Sequence, residues 1–340
     1  MKRAQPRSQR LLKPKRTVSI IGTGSYLPAR IMTNAELEKL VDTSDEWIRT
    51  RTGIRERRIA AENEYTSDMA VKAAQAAIEQ AGITPDELDL IIVATVTPDM
   101  VFPSTACCVQ RALKARNAAC FDISAACSGF LYALEIAQQF ITSHTCNTVL
   151  VIGADKLSNL IDWTDRNTCV LFGDGAGAAI LRNRSGSHGI IASHMGSDGN
   201  FADILSIPGG ACRAPASKEV LDKRLNTIKM SGKEVYKQAV NAMLKAANAA
   251  LEQSGLKAED LACVIPHQAN MRIIEAIASR MGLPLDRFLV NLDLYGNTSA
   301  AAVAIALDDA NRTGRMRIGD YVLLVVFGGG LTWASSVIQW

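Results

Sequence analysis

AAIEQAGITPDELDLIIVA, residues 76–94, and AALEQSGLKAEDLACVIPH, residues 249–267, are one pattern written twice. Each reads as the end of an amphipathic helix, a glycine stop, a short turn and a buried strand. AAIEQAGI matches AALEQSGL position by position at an offset of 173, and DELDLII falls on EDLACVI at the same offset. A second echo follows, because the β-rich runs TVLVIGA (148–154) and YVLLVVF (321–327) also lie 173 apart. Between the members of each pair a turn opens a helix of small residues, AACSGFLYALEIAQQF from Ala125 and GNTSAAAVAIALDDA from Gly296. Such matches in one order, at about half the chain length, argue for internal duplication.

The order within each half is helix, buried strand, connection, helix, strand. That alternation predicts an α/β fold with parallel-rich sheets covered by helices. Two such halves with their sheets packed together predict a five-layered α/β/α/β/α body. Its central helices would be the small-residue helices after Cys127 and Asn297, since small side chains let a sheet approach closely. The expected organisation is a basic extension over 1–16, an N-terminal half over 17–185 and a C-terminal half over 186–340.

The composition is that of an ordinary globular chain of 340 residues. No apolar run approaches the roughly 18 residues of a membrane helix, and no hydrophobic stretch follows the basic start. The net charge of +3 conceals an asymmetry, because the first 16 residues hold seven basic and no acidic side chains. The remainder therefore carries about −4. The extension reads as disordered, with a transit peptide and, more weakly, nucleic-acid binding through the tail as the alternatives. The expectation is a cytoplasmic protein with neither a nucleic-acid nor a membrane partner. There are eight cysteines, no C-x-x-C pair, and four histidines without ligand spacing. Reduced thiols and no metal site are expected.

In open α/β sheets, sites form beyond the carboxyl ends of strands. Cys127 follows the strand-like AACFDI and opens a helix, His267 ends the strand LACVIP, and Asn297 opens the matching helix of the second half. The duplication is read as placing Cys127 and Asn297 at corresponding positions, facing one another. A thiol at a helix N-terminus sees unpaired N–H groups and the positive dipole end, which favour thiolate and can hold an oxyanion. The GNTS around Asn297 is also good turn sequence, so that residue has a purely structural alternative.

DTSDEWIRTRTGIRERR, FPSTAC, AACSGF, FGDGAGAA, PHQANMRI, YGNTSAA and FGGGLTW together resemble the β-ketoacyl-acyl carrier protein synthase III family, the initiating condensing enzymes of dissociated fatty acid synthesis. The resemblance runs from about Val18 to Trp340 and leaves out the basic extension. It implies a thiolase-like fold and a homodimer. It also implies a catalytic set of Cys127, His267 and Asn297, with the Gly329 N–H in the oxyanion hole. The implied reaction passes an acyl group from acyl-CoA to Cys127 and condenses it with malonyl-acyl carrier protein, without metal or redox cofactor. Trp47, Arg51, Arg166 and Asn270 are implied to meet CoA. Phe102, Leu157 and Phe172 are implied for the acyl pocket, with Phe102 reaching across the dimer and setting a short primer such as acetyl. Gln268, Ala269, Asn270, Met271, Arg272 and Lys237 are implied to meet the carrier protein. Trp163 and Asn167 depart from the pattern, which commonly has smaller residues there.

Three rival readings remain at this level. A relative on the same fold could condense another substrate. A papain-like hydrolase shares Cys, His and Asn in chain order but leaves the duplication unexplained. A non-catalytic partner subunit conflicts with the intact Cys127.

Overall fold

The structure, a computed structural model, describes residues 17–184 and 188–340; the basic extension expected over 1–16 lies outside the described residues. The first half opens with β1 (Thr17–Tyr26), β2 (Arg30–Thr33), α1 (Asn34–Leu37), α2 (Asp45–Thr52) and β3 (Glu56–Ile59). It continues with α3 (Thr66–Ala81), β4 (Leu90–Ala94), α4 (Thr105–Leu113), β5 (Ala119–Ile123), α5 (Gly129–Thr142), β6 (Thr148–Lys156) and β7 (Asp174–Arg184).

The second half begins with β8 (Gly189–Ser197), β9 (Leu205–Ser206), α6 (Lys218–Asp222), β10 (Lys229–Met230) and α7 (Gly232–Ser254). After β11 (Leu261–Pro266) come α8 (Met271–Met281), α9 (Leu292–Tyr295), α10 (Ala300–Arg312), β12 (Tyr321–Gly328) and β13 (Thr332–Gln339).

The repeat is visible residue by residue. Gly82 and Gly255 end α3 and α7 in the left-handed conformation, at φ 65° and 72°, which glycine adopts without strain. One-turn helices at Pro85–Glu87 and Ala258–Asp260 follow, each releasing the chain into its strand. The large sheets run β1-β7-β6-β4-β5 and β11-β12-β13-β8. The expectation of parallel-rich sheets needs correction. β4 is parallel to β5 and β6, and β11 to β12, but β1, β7, β13 and β8 pair antiparallel with their neighbours. The repeated motifs cover only the parallel part of each sheet.

α3 and α4 cover the outer face of the five-stranded sheet, α7 and α8 that of the four-stranded sheet, and α5 and α10 lie between the two. This is the five-layered body of the thiolase-like fold. The inner layer explains the small residues. A Cβ on Gly153 would meet the Ala300 carbonyl oxygen at 2.3 Å, and one on Gly177 would meet the Ala304 Cβ at 2.5 Å. Sheet and helix thus touch backbone to backbone, and α10 is buried from Ala300 through Asp308, as a helix apolar on all sides must be. Among the described residues no helix is long and apolar enough to cross a membrane.

Candidate active site

Both halves deliver their strand ends and central helices to one cleft of about 850 Å³. Cys127, His267 and Asn297 line its floor. Cys127 sits in the turn Ala126–Ser128 that opens α5 and is 7 % exposed. The loop after β12 closes over it, so that a Cβ on Gly328 would come within 2.8 Å of the Cys127 N. His267 leaves β11, with its backbone N–H on the Val325 carbonyl at 2.8 Å. Asn297 is held by its backbone between Leu171 and Gly173, at 2.8 and 3.0 Å.

The pseudo-symmetry is set differently from the sequence expectation. Ala126 and Ser299, 173 apart, both carry positive φ, 47° and 54°. The halves therefore superpose Cys127 on Ala300 rather than on Asn297. Asn297 comes three residues earlier, which turns its side chain into the cleft instead of into the helix.

Burial decides the protonation states. The Cys127 thiol is pushed up to about 12, mainly by desolvation, with the Asp155 charge adding to it and the Ser299 hydroxyl opposing. The thiolate expected from the helix terminus is not the resting form, because a fully buried anion loses more hydration than one helix end returns. His267 is lowered to about 3 by burial alone. It is a neutral imidazole whose two ring nitrogens have no hydrogen-bond partner among the described residues, and its ring meets Phe327 edge-on at 5.5 Å. Buried polar atoms are normally paired, so these nitrogens await a substrate atom. The Asn297 amide oxygen accepts the Ser299 N–H at 2.9 Å. That contact orients the amide and leaves its NH2 free to donate into the cleft that His267 also lines.

The cleft mouth carries Trp47, Arg51, Asn167, Lys233, Asn270 and Arg272. Arg166 lies on the Trp47 ring at 4.5 Å and Arg51 flanks it at 5.6 Å. The Arg166 guanidinium also donates to the Asp42 carbonyl at 2.7 Å. Asn270 caps α8, accepting the Arg272 N–H at 2.9 Å and donating to the Arg51 carbonyl at 3.2 Å. Trp163 packs half-buried against the core and Asn167 is exposed on the lining, so the two departures from the family pattern do not block the cleft.

Other expected residues fall elsewhere. Gln268 is fully buried, donating to the Pro266 and Leu289 carbonyls and accepting the Asn291 N–H; with both ends of its amide used internally it is no surface contact. Phe172 and Ala269 line the cleft, whereas Leu157 packs into the core and Met271 half-buries against it. Phe102 is 84 % exposed and outside the cleft of its own chain. Lys237 is exposed but off the lining. Lys233, one helical turn earlier on α7, takes the lining position and was missed. Its i, i+4 spacing from Lys237 was the available signal. Ser299, Phe327 and Tyr236 were also missed. Among the described residues no group of three His, Cys, Asp or Glu side chains could hold a metal ion.

A duplicated α/β/α/β/α body with a buried thiol, an unpaired neutral imidazole and an oriented amide in one cleft defines an acyl-transferring condensing enzyme of the thiolase-like class. Relatives agree. Models of 3-oxoacyl-[acyl-carrier-protein (ACP)] synthase III match residues 121–199, and of its C-terminal part residues 251–340. The chain is 58 % identical to a β-ketoacyl-[acyl-carrier-protein] synthase III of Caldanaerobacter subterraneus, covering 96 % of this chain and 98 % of that one. Crystal structures of 3-oxoacyl-[acyl-carrier-protein] synthase III from Aquifex aeolicus and of its counterpart from Thermus thermophilus superpose with TM-scores of 0.88 and 0.89. Their identities are 49 % and 46 %, each covers 95 % of this chain, and the match spans 100 % and 99 % of theirs. The chain belongs to the β-ketoacyl-[acyl carrier protein] synthase III family.

Proposed function

We propose that Cys127 takes an acyl group from acetyl-CoA and that His267 and Asn297 hold the enolate of malonyl-acyl carrier protein while it attacks that acyl group. The enzyme condenses an acyl-CoA with malonyl-acyl carrier protein and so starts fatty acid synthesis. The observation that carries the assignment of roles is the pairing on the cleft floor of two free donors, the His267 ring and the Asn297 NH2, beside a separate buried nucleophile.

In the first half-reaction the Cys127 sulfur adds to the thioester carbonyl. The oxyanion falls to backbone N–H groups of Cys127 and of the Gly328–Gly330 loop, Gly329 among them. Collapse breaks the bond to the CoA sulfur, CoA leaves as a thiol and Cys127 keeps the acyl group. In the second, the malonyl carboxylate leaves as CO2 and its bonding pair moves into an enolate, whose oxygen takes hydrogen bonds from His267 and Asn297. The carbanion attacks the acyl-cysteine, the carbon–sulfur bond to Cys127 breaks, and the β-ketoacyl carrier protein departs. One proton is taken up to restore the thiol. A neutral imidazole suits this role, because it donates without first having to lose a proton.

The CoA adenine is assigned to the Trp47–Arg166 pair. Two stacked contacts of roughly 3.5 Å each need about 7 Å, so Arg166, now 4.5 Å from the indole, swings outward and releases Asp42 when the nucleotide enters. The exposed cations Arg51, Lys233 and Arg272 around the mouth suit an acidic carrier protein. A homodimer is supported by β5, one of the two edge strands of the five-stranded sheet, and by the adjoining Met100, Val101 and Phe102, which are 46 %, 98 % and 84 % exposed. Phe102 then closes the partner's acyl pocket and limits the primer to short chains. Free thiols at Cys107, Cys108, Cys120, Cys127, Cys169, Cys212 and Cys263 support a cytoplasmic location. No cofactor beyond the CoA thioester substrate is required.

The test compares acetyl-, isobutyryl- and hexanoyl-CoA with malonyl-acyl carrier protein, identifying products by mass in wild type and Phe102→Ala. Acetyl preference that widens toward longer chains in the mutant supports the reading. An unchanged kcat/KM ratio in folded dimer removes Phe102 from the pocket.

A further inference from the structure

We propose that Ser299 is a further catalytic residue, which relays the Cys127 thiol proton, and that the buried carboxylate of Asp155 behind it receives that proton. The inference rests on Cys127 being the nucleophile.

A resting thiol needs somewhere to send its proton. His267 makes no hydrogen bond to the sulfur, and burial leaves its ring a poor base. Among the described residues the one side-chain partner of the Cys127 Sγ is the Ser299 Oγ, at 3.5 Å. Ser299 is also misused as a helix terminus. It holds the N-cap position of α10, where serine ordinarily accepts a backbone N–H, yet its side chain makes no capping bond. Its backbone sits at φ 54°, ψ −124°, a conformation that glycine takes without strain and serine does not. The strain and the unused cap both leave the hydroxyl on the sulfur.

Asp155 is the penultimate residue of β6 and is fully buried. One oxygen accepts from the Thr95 and Thr97 hydroxyls and the Val96 N–H at 3.0, 2.9 and 2.8 Å, and the other from the Ala300 N–H at 3.3 Å. Burial raises the Asp155 carboxyl above its ordinary range, and the Val96 N–H and the Ser299, Thr97 and Thr95 hydroxyls oppose that rise. No cation appears in this set. The arrangement also solves a charge problem. Ionising Cys127 into solvent would leave two buried anions, thiolate and carboxylate. Passing the proton to Asp155 through Ser299 keeps one buried negative charge throughout, so most of the desolvation cost cancels.

The step balances. As the Cys127 S–H bond breaks and the sulfur bonds to the acyl carbon, the proton moves to the Ser299 Oγ, and the hydroxyl's own proton moves to Asp155. When the tetrahedral adduct collapses, the CoA sulfur leaves with the bonding pair and recovers a proton from Ser299, which is reprotonated by Asp155. Both residues end unchanged.

The experiment measures three quantities on the full-length enzyme and on Ser299→Gly: acylation of Cys127 by acetyl-CoA in rapid-quench intact-mass assays, decarboxylation of malonyl-acyl carrier protein, and the thermal midpoint. Glycine removes the hydroxyl and fits the backbone, so misfolding does not obscure the result. Acylation is expected to fall on the order of 10²-fold, with the apparent KM for acetyl-CoA and the decarboxylation rate unchanged and the midpoint no lower. Asp155→Asn provides a second arm with the same expected direction. Wild-type acylation in Ser299→Gly overturns the proposal, as does an equal loss of acylation and decarboxylation, which marks a structural role. If the wild-type enzyme shows no acyl group on Cys127, the underlying assignment fails instead.

Discussion

Replacing His267 by alanine separates the two half-reactions. Among the described residues the imidazole makes no hydrogen bond to Cys127 or to any other group, so acylation of Cys127 stays within a few-fold of wild type. Decarboxylation loses one of two enolate donors, a loss on the order of 10²–10³ in rate, equivalent to about 3–4 kcal/mol. His267→Gln keeps an N–H donor and recovers part of it. The pH dependence follows from burial. The folded-state value of about 3 lies below the ordinary 6.5, so the ring stays neutral above roughly pH 4, and decarboxylation shows no acid limb near 6.5. The same depression acts on stability. The unfolded chain takes up the proton first, so the neutral ring's contribution is full above about pH 6.5 and is lost as pH falls toward 3. The loss is on the order of 5 kcal/mol, and His267→Gln abolishes that slope. The assays are mass detection of the acyl-enzyme, CO2 release from malonyl-acyl carrier protein, and denaturant unfolding between pH 4 and 8. Lost acylation with intact decarboxylation in His267→Ala would refute the division of roles, and an acid limb at 6.5 would refute the neutral buried ring.

Three other perturbations probe the mouth and the frame. Arg272→Glu, reversing an exposed rim charge, raises the apparent KM for malonyl-acyl carrier protein and leaves acetyl-CoA kinetics nearly unchanged in steady-state assays. Arg166→Ala removes the side chain proposed to cover the outer face of the adenine, a cation–π stack of about 1–2 kcal/mol; it raises the KM for acetyl-CoA roughly 5- to 30-fold and spares malonyl decarboxylation. Gly153→Ala drives a Cβ to 2.3 Å from the Ala300 carbonyl; overpacking of roughly 1–3 kcal/mol lowers the thermal midpoint and, by shifting the start of α10, slows both half-reactions.

How much of this was legible in the sequence depended on whether a residue carries its own signal. The duplication was legible because Gly82 and Gly255, Leu88 and Leu261, and Thr148 and Tyr321 hold fixed landmarks 173 apart. The antiparallel strands lay outside the repeated motifs and had no such landmark. Cys127, His267 and Asn297 could be found at strand ends and helix starts. Their register could not, because AACSGF and GNTSAAA are runs of small residues that slide against each other freely, and only the positive φ of Ala126 and Ser299 fixes them. Ionisation is a tertiary property. The helix start at Cys127 argued for thiolate, while the layers that close over the sulfur argue more strongly against it. Gln268 was misplaced because neighbours in PHQANMRI share a loop without sharing a face. Ser299 and Asp155 are common residue types in ordinary contexts, and only their meeting in space marks them.

The central claim is that the acyl group resides on Cys127 and on no other of the eight cysteines. Wild-type enzyme incubated with acetyl-CoA alone is quenched, its intact mass taken and the modified peptide sequenced. The account predicts a gain of one acetyl group, about 42 Da, confined to the peptide carrying Cys127. That gain vanishes in Cys127→Ser and is discharged from wild type by malonyl-acyl carrier protein. An acetyl group on another cysteine, or a Cys127→Ser enzyme that still condenses, would contradict it.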